Sequence, residues 1–224
     1  MMFDEQREDL YDRIMAMPDA PKLMQRLEHS LSEEKRRRRQ FYNDITEADK
    51  AEFINGEVIM HSPVKKEHND VSTRLFELLG PYVRRKKLGY LGYEKVMVSL
   101  TRNDYEPDIC FFGTEKAAAF QEGQVLFPAP DLVVEVLSKK TEKYDRTIKF
   151  TDYAQHGVGE YWIIDPLKEF IEQYRLNDSG QYELVLKGRS GIVECTVIAG
   201  FDIPANSLFD EEAQLATMDV LHRK

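Results

Sequence analysis

Two acidic residues stand in apolar surroundings. In EPDICFFG, Asp108 comes directly before four apolar residues, and in LVVEVLS, Glu135 sits in the middle of a branched apolar run. Side chains alternate along a strand, so Val133, Glu135 and Leu137 share one face, and Leu132, Val134 and Val136 the other. A run that is apolar on both faces reads as a central strand covered on both sides. A lone ionised carboxylate is costly there and demands a proton, a basic partner or a metal ion. Two carboxylates on two apolar strands suggest neighbours converging on one hard cation such as Mg²⁺, which takes oxygen ligands at roughly 2.1 Å and keeps several waters. Asp131 lies four residues before Glu135, about 13 Å along the same strand. That is too far to share the ion, so Asp131 reads as a strand-start or loop residue.

Such a pair usually works with a third charge that handles the nucleophile or the developing negative charge, and lysine suits that task. Lys139, Lys140 and Lys149 are the candidates. Lys139 is again about 13 Å along the strand from Glu135, whereas Lys149 belongs to the next helix, which could lean over the strand ends. The competing reading makes Asp145 and Lys149 an i,i+4 pair on an exposed helix face.

These residues need a scaffold. Residues 1 to about 40 read as a charged helical extension, broken in two by Pro18 and Pro21. Asn55-Gly56 between two alternating arms signals a hairpin. Residues 66 to 87 have helical spacing at Val71, Leu75, Leu78, Leu79 and Val83, with Pro81 placed to kink or end the helix. Strands follow in GYLGYEKVMVSL, EPDICFFG and PDLVVEVLS. A helix runs from Thr141 as N-cap to Gly157 as its stop. EYWIIDP, EFIEQYRL and QYELVLKG are further strands, and TVIAGFDIPANSLF gives a last short strand and a loop. The expected organisation is a 1–40 extension, a 41–210 α/β domain with a mixed sheet flanked by helices, and a 211–224 tail.

Composition narrows the function classes. A 224-residue chain with 42% hydrophobic residues, 12 Phe and 11 Tyr can bury a real core and does not read as disordered. Two distant cysteines in apolar runs fit a reduced cytoplasmic protein and leave no thiolate zinc cluster. The charged start MMFDEQREDL lacks a signal peptide's apolar core, and no run is long enough for a membrane helix. The net charge of -9 argues mildly against non-specific nucleic-acid affinity. KRRRR at 35–39 and RRKK at 84–87 are local exceptions, read either as solvated helix faces or as phosphate-contacting patches. The chain has no P-loop, HExxH, GxSxG or GxGxxG pattern, and its five histidines are scattered.

NGEVIMHSP with His68 after it, EPDICFF, and above all PDLVVEVLSKKTEKYDRTIKFTDYAQHGVGEYWIIDP resemble the PD-(D/E)XK nuclease superfamily. More closely, they are similar to its Uma-type branch of restriction-endonuclease-like proteins, over residues 44 to 205. The resemblance implies a restriction-endonuclease-like fold and Mg²⁺-dependent hydrolysis of phosphodiester bonds in DNA, with Mn²⁺ as a substitute. It makes Asp108, Glu135 and the backbone carbonyl of Val136 metal ligands. The superfamily's lysine usually stands two residues after the acidic residue, but Leu137 occupies that position here. The Uma-type pattern places it on the following helix, at Lys149. Glu57 matches a position that could complete the metal shell, directly or through water, or else be an exposed residue after a turn. His68 matches as well and could cap or orient a helix. Asp145 is implied as an orienting partner for Lys149, and Arg146 as structural or phosphate-facing. Tyr153, Tyr161 and Trp162 read as core. The partner is nucleic acid, no membrane is expected, and a homodimer with two sites would cut two strands. The rival reading is a catalytically silent nuclease-fold protein that binds nucleic acid or another protein.

Overall fold

The computed structural model describes residues 2–223, with side chains from residue 8 onward. Two compact units divide between residues 60 and 61.

In the first unit, α1 (Met2–Met15) and α2 (Ala20–Asp44) are separated at the expected proline-flanked break. A hairpin follows, with β1 (Ala51–Ile54) antiparallel to β2 (Glu57–Met60). Its turn is built by Asn55 and Gly56, both at positive φ, as the Asn-Gly signal requires. Phe41 near the end of α2 is buried, with its ring 5.8 Å from that of Phe53 on β1.

The second unit begins with α3 (Lys66–Lys86), followed by β3 (Gly89–Tyr93), β4 (Met97–Ser99), β5 (Asp104–Tyr105) and β6 (Ile109–Gly113). The short α4 (Thr114–Ala117), β7 (Leu126–Phe127) and β8 (Leu132–Val136) come next. Then come α5 (Glu142–Arg146), α6 (Ile148–Gln155), β9 (Glu160–Asp165), β10 (Phe170–Leu176) and β11 (Tyr182–Gly188). The chain ends in β12 (Ile192–Cys195), β13 (Phe201–Pro204), a 3-10 turn and α7 (Glu211–Arg223). The main sheet runs β11-β10-β9-β8-β6-β3. It is mixed, because β8 lies parallel to β9 and antiparallel to β6. A parallel pair needs a long crossover, and α5 with α6 supplies it. β4 pairs antiparallel with β5 and parallel with β7, and β12 with β13 forms a separate ribbon.

α3 is amphipathic, and Val71, Leu75, Leu78, Leu79 and Val83 join one core with Val134, Val136, Trp162 and Ile164 from the sheet. The helix passes Pro81 and ends only at Lys87, in left-handed conformation. The expected single helix after β8 is two helices, interrupted at Thr147 (φ -127°, ψ -81°), while Gly157 at φ +73° is the expected stop. The short elements β5, α4 and β7 have no counterpart in the sequence reading, and two longer ones also lack it. β12 is one, and α7 is the other, with Leu221 in the core and Gln214 donating to Glu77 (2.7 Å).

The close approach of β3 to β6 depends on Gly89, at φ +147°, where a Cβ would collide with the Phe112 carbonyl oxygen. Gly89→Ala is expected to lower stability by about 2–4 kcal/mol, read as a lower urea midpoint with unchanged slope.

Candidate active site

β8 occupies the middle of the main sheet, and all five of its residues are buried. Glu135 is only 4% exposed. Its strand neighbours Val134 and Val136 point into the core under α3, so the carboxylate points to the opposite face. There α6 brings Lys149, itself 1% exposed, to 3.0 Å from Glu135 Oε1. Lys149 also lies 3.0 Å from Asp145 Oδ1. The i,i+4 pair read from the sequence therefore exists, but both partners are 1% exposed and no open helix face is involved. The break at Thr147 puts Asp145 at the end of one helix and Lys149 in the first turn of the next.

Tyrosines wall this face. Tyr153, one helical turn after Lys149, directs its hydroxyl to Glu135 Oε1 at 3.4 Å. The Lys149 ammonium lies 5.7 Å from the centre of the Tyr105 ring, close enough for a cation–π contribution. Tyr105 and Tyr153 meet edge to face at 5.2 Å. Tyr105 donates to Asp152 (2.7 Å), which also accepts from Asn103 (2.6 Å). Burial, reinforced by the charges of Asp145 and Glu135, pushes the Tyr161 phenol well above its ordinary range. It therefore stays protonated and donates to the Asp145 carbonyl (3.0 Å). Burial likewise pushes the Cys110 thiol up, with Glu135 adding to the effect, so Cys110 is no nucleophile. Sequence reasoning missed Tyr105 altogether and assigned Tyr153 only to packing. The four-residue spacing from Lys149 to Tyr153 was the available signal.

Asp108 precedes β6 by one residue and is 5% exposed. Its Oδ2 accepts the Val136 amide hydrogen at 2.8 Å and lies 3.2 Å from His68 Nε2. That contact ties the loop before β6 to the last residue of β8, bringing Asp108 beside the residue that follows Glu135. His68 comes from the first turn of α3 and is itself buried. Its ring faces a carboxylate.

The remaining residues separate clearly. Asp131 accepts from Gly113 N (2.7 Å) and pairs with Lys116 (2.7 Å), as a strand-start residue would. Arg146 bridges Glu142 (3.0 Å) and Glu172 (2.5 Å). Glu57 is the first residue of β2 in the first unit, with an exposed side chain. Glu160 is a second fully buried carboxylate, but Trp162, Gln173 and Thr196 donate to it at 2.5–2.9 Å, which marks it as structural.

A mixed sheet with helices on its faces is the restriction-endonuclease-like arrangement. A crystallographic relative has the same fold. It is described as a putative nuclease of the DUF820 group from Anabaena variabilis, and it superposes with a TM-score of 0.66 at 18% identity, over 78% of this chain and 96% of that one. The chain belongs to the Uma2 family, described as "Putative restriction endonuclease", whose model matches residues 38–206. Two uncharacterised proteins of Synechocystis sp. are similar in sequence. One is 29% identical over 60% of this chain and 70% of its own length, the other 25% identical over 65% and 84%. Among the described residues no helix is long and apolar enough to cross a membrane.

Removing one partner of a buried ion pair strands the other charge. Lys149→Met is expected to cost about 3–5 kcal/mol. In a double-mutant cycle the Glu135→Gln/Lys149→Met protein should lose clearly less than the sum of the singles, whereas additive losses would mean the two do not interact. A second expectation concerns acid stability. Burial raises the Glu172 pKa, but hydrogen bonds from Lys187 and Arg146 outweigh it and hold the group below its ordinary value. The native state then binds fewer protons than the unfolded chain. The stabilisation is complete above the unfolded pKa near about 4.3 and is lost as pH falls through the lower folded value. Glu172→Gln should therefore flatten the decline of the urea midpoint below pH 5.

Proposed function

We propose that this protein is a metal-dependent endonuclease that hydrolyses phosphodiester bonds of DNA, with Asp108 and Glu135 as ligands of Mg²⁺ and Lys149 as its catalytic cation. The observation that carries this reading is the burial of three charged groups around one end of β8: Asp108 accepts the Val136 amide hydrogen there, and Lys149 stands 3.0 Å from Glu135. Nucleic acid as substrate is also what the family description suggests.

The residues fit a hard divalent cation, because both acidic side chains offer only oxygen. Among the described residues no group of three or more His, Cys, Asp and Glu side chains forms a ready-made cage. Mg²⁺ does not need one, since it is commonly held by one or two carboxylates with waters and substrate phosphate. In an extended strand the N–H and C=O of one residue point to the same side. The Val136 carbonyl is thereby directed toward the side of Asp108, as a third oxygen ligand. When bound, the metal supplies positive charge that acidifies a water and neutralises phosphate.

The chain's own residues do the rest. Glu135 lowers the cost of keeping Lys149 protonated in the interior, and Asp145 orients the ammonium from the other side. Lys149 then donates to the attacking water or to a phosphate oxygen as negative charge grows there. Asp108 fixes Val136 through its amide, while His68 holds Asp108 and limits its rotation. Arg146 acts structurally through Glu142 and Glu172. Buried free thiols suit a reducing cytoplasm. A homodimer would present two such centres to the two strands of a duplex.

Purified wild type, Glu135→Ala and Lys149→Ala are to be incubated with supercoiled plasmid in Mg²⁺, Mn²⁺ or EDTA. Wild type should nick or linearise the plasmid only with metal. The variants should be slower by at least about 10²-fold while keeping their circular dichroism. Binding of the plasmid without cleavage in any metal would replace this reading by that of a silent nucleic-acid-binding module.

A further inference from the structure

α6 and its C-cap carry Lys149, Asp152, Tyr153 and His156 at i, i+3, i+4 and i+7, the spacing of a helix's inward stripe. Such a stripe is normally apolar, yet all four of these side chains have polar groups. Lys149 and Tyr153 are buried and meet Glu135. Asp152 and His156 are half-buried and turn to the segment that joins β4 to β5.

Asp152 is the hub of these contacts. Its Oδ2 accepts from the Asn103 side-chain amide (2.6 Å) and from the Tyr105 hydroxyl (2.7 Å). Its Oδ1 lies 3.1 Å from His156 Nδ1. The other ring nitrogen accepts the Thr101 amide hydrogen (3.2 Å), so in the neutral ring Nδ1 carries the proton that faces Asp152. Donors on both oxygens fix the carboxylate, and the carboxylate in turn fixes Tyr105. That ring is fully buried, with the Lys149 ammonium over it at 5.7 Å from its centre. A phenol that donates to an anion becomes richer in electrons, which strengthens its hold on a cation over its face.

We propose that Asp152 is a positioning residue that acts through Tyr105 on Lys149. The inference rests on the role given to Lys149 in the proposed nuclease and adds the device that aims it. Glu135 and Asp145 each attract the ammonium from 3.0 Å. The anchored Tyr105 ring closes a further side, so the ammonium keeps one position and stays out of water. A cation already in place needs no reorganisation when negative charge develops beside it.

Tyr105→Phe deletes only the hydroxyl that reaches Asp152, and Asp152→Asn keeps the shape but weakens the acceptor. Both preserve side-chain volume, and circular dichroism checks the fold. With plasmid and Mg²⁺, each should lower kcat by about 10-fold or more and leave KM unchanged. The double variant should be no slower than either single, because both break one bond. A purely structural role would lower the urea midpoint and leave kcat per folded molecule unchanged. A second readout needs no substrate. Isotope-labelled lysine gives an NMR signal for the Lys149 ammonium, recognised by its absence from Lys149→Arg. Its hydrogen exchange with water should be faster by about 10-fold or more in both variants than in wild type. Faster exchange in a protein that cuts nothing would uphold the positioning and sink the nuclease reading. Unchanged kcat in both variants, unchanged exchange, or a wild-type ammonium already in fast exchange would each overturn the proposal and leave the nuclease reading standing.

Discussion

A lysine ammonium that is 1% exposed must be surrounded by compensating groups or lose its proton, and much of this structure serves that requirement at Lys149. Glu135 approaches from the central strand, Asp145 from the preceding helix, and the face of Tyr105 covers the remaining side. Each contact depends on a separate feature of the fold. Glu135 is in place because β8 lies between β6 and β9, Asp145 because α5 stops at Thr147, and Tyr105 because β5 is anchored through Asp152 on α6. A pair desolvated this far seldom repays its cost in stability. Its presence in the middle of an otherwise apolar sheet is therefore better explained by chemistry than by folding.

The contrast with Glu160 sharpens that argument. Both carboxylates are buried in neighbouring strands, β8 and β9, with Glu160 fully inaccessible. Glu160 gathers an indole N–H, an amide, a backbone N–H and a hydroxyl, and its nearest cation, Arg175, stands at 3.6 Å. Neutral donors on every side lock a charge in place and complete its coordination. Glu135 instead faces the Lys149 ammonium and the Tyr153 phenol. Burial alone would have ranked the two together, whereas partner type separates them: neutral donors surround Glu160, and a buried ammonium stands against Glu135.

Much of this was legible in the residue order. Glu135 is conspicuous because its strand is apolar on both faces, and Asn55-Gly56 specifies its turn by backbone sterics alone. Lys149 could not be chosen from spacing. An i,i+4 acid–lysine pair looks the same whether exposed or buried, and only the packing of α6 against the sheet distinguishes the two cases. The break at Thr147 was hidden because no proline or glycine causes it. α7 was missed for a compositional reason, since its buried side includes Gln214 and Thr217 while Leu215 and Val220 are exposed. No clean apolar period survives such a mixture. The extension of α3 past Pro81 shows the converse, with tertiary packing of Tyr82 and Val83 into the core overriding a helix breaker.

The family match begins at residue 38, inside α2, so this one helix carries two kinds of information along its length. From Arg38 onward the three-four stripe of Met24, Leu27, Leu31, Glu34, Arg38 and Phe41 is fixed by packing near the hairpin, as Phe41 is. Before that point the stripe keeps its period without any covering partner. Exposed Met and Leu in a regular three-four pattern cost solvation in the free chain, and scattered surface apolar residues would not preserve that period across the boundary.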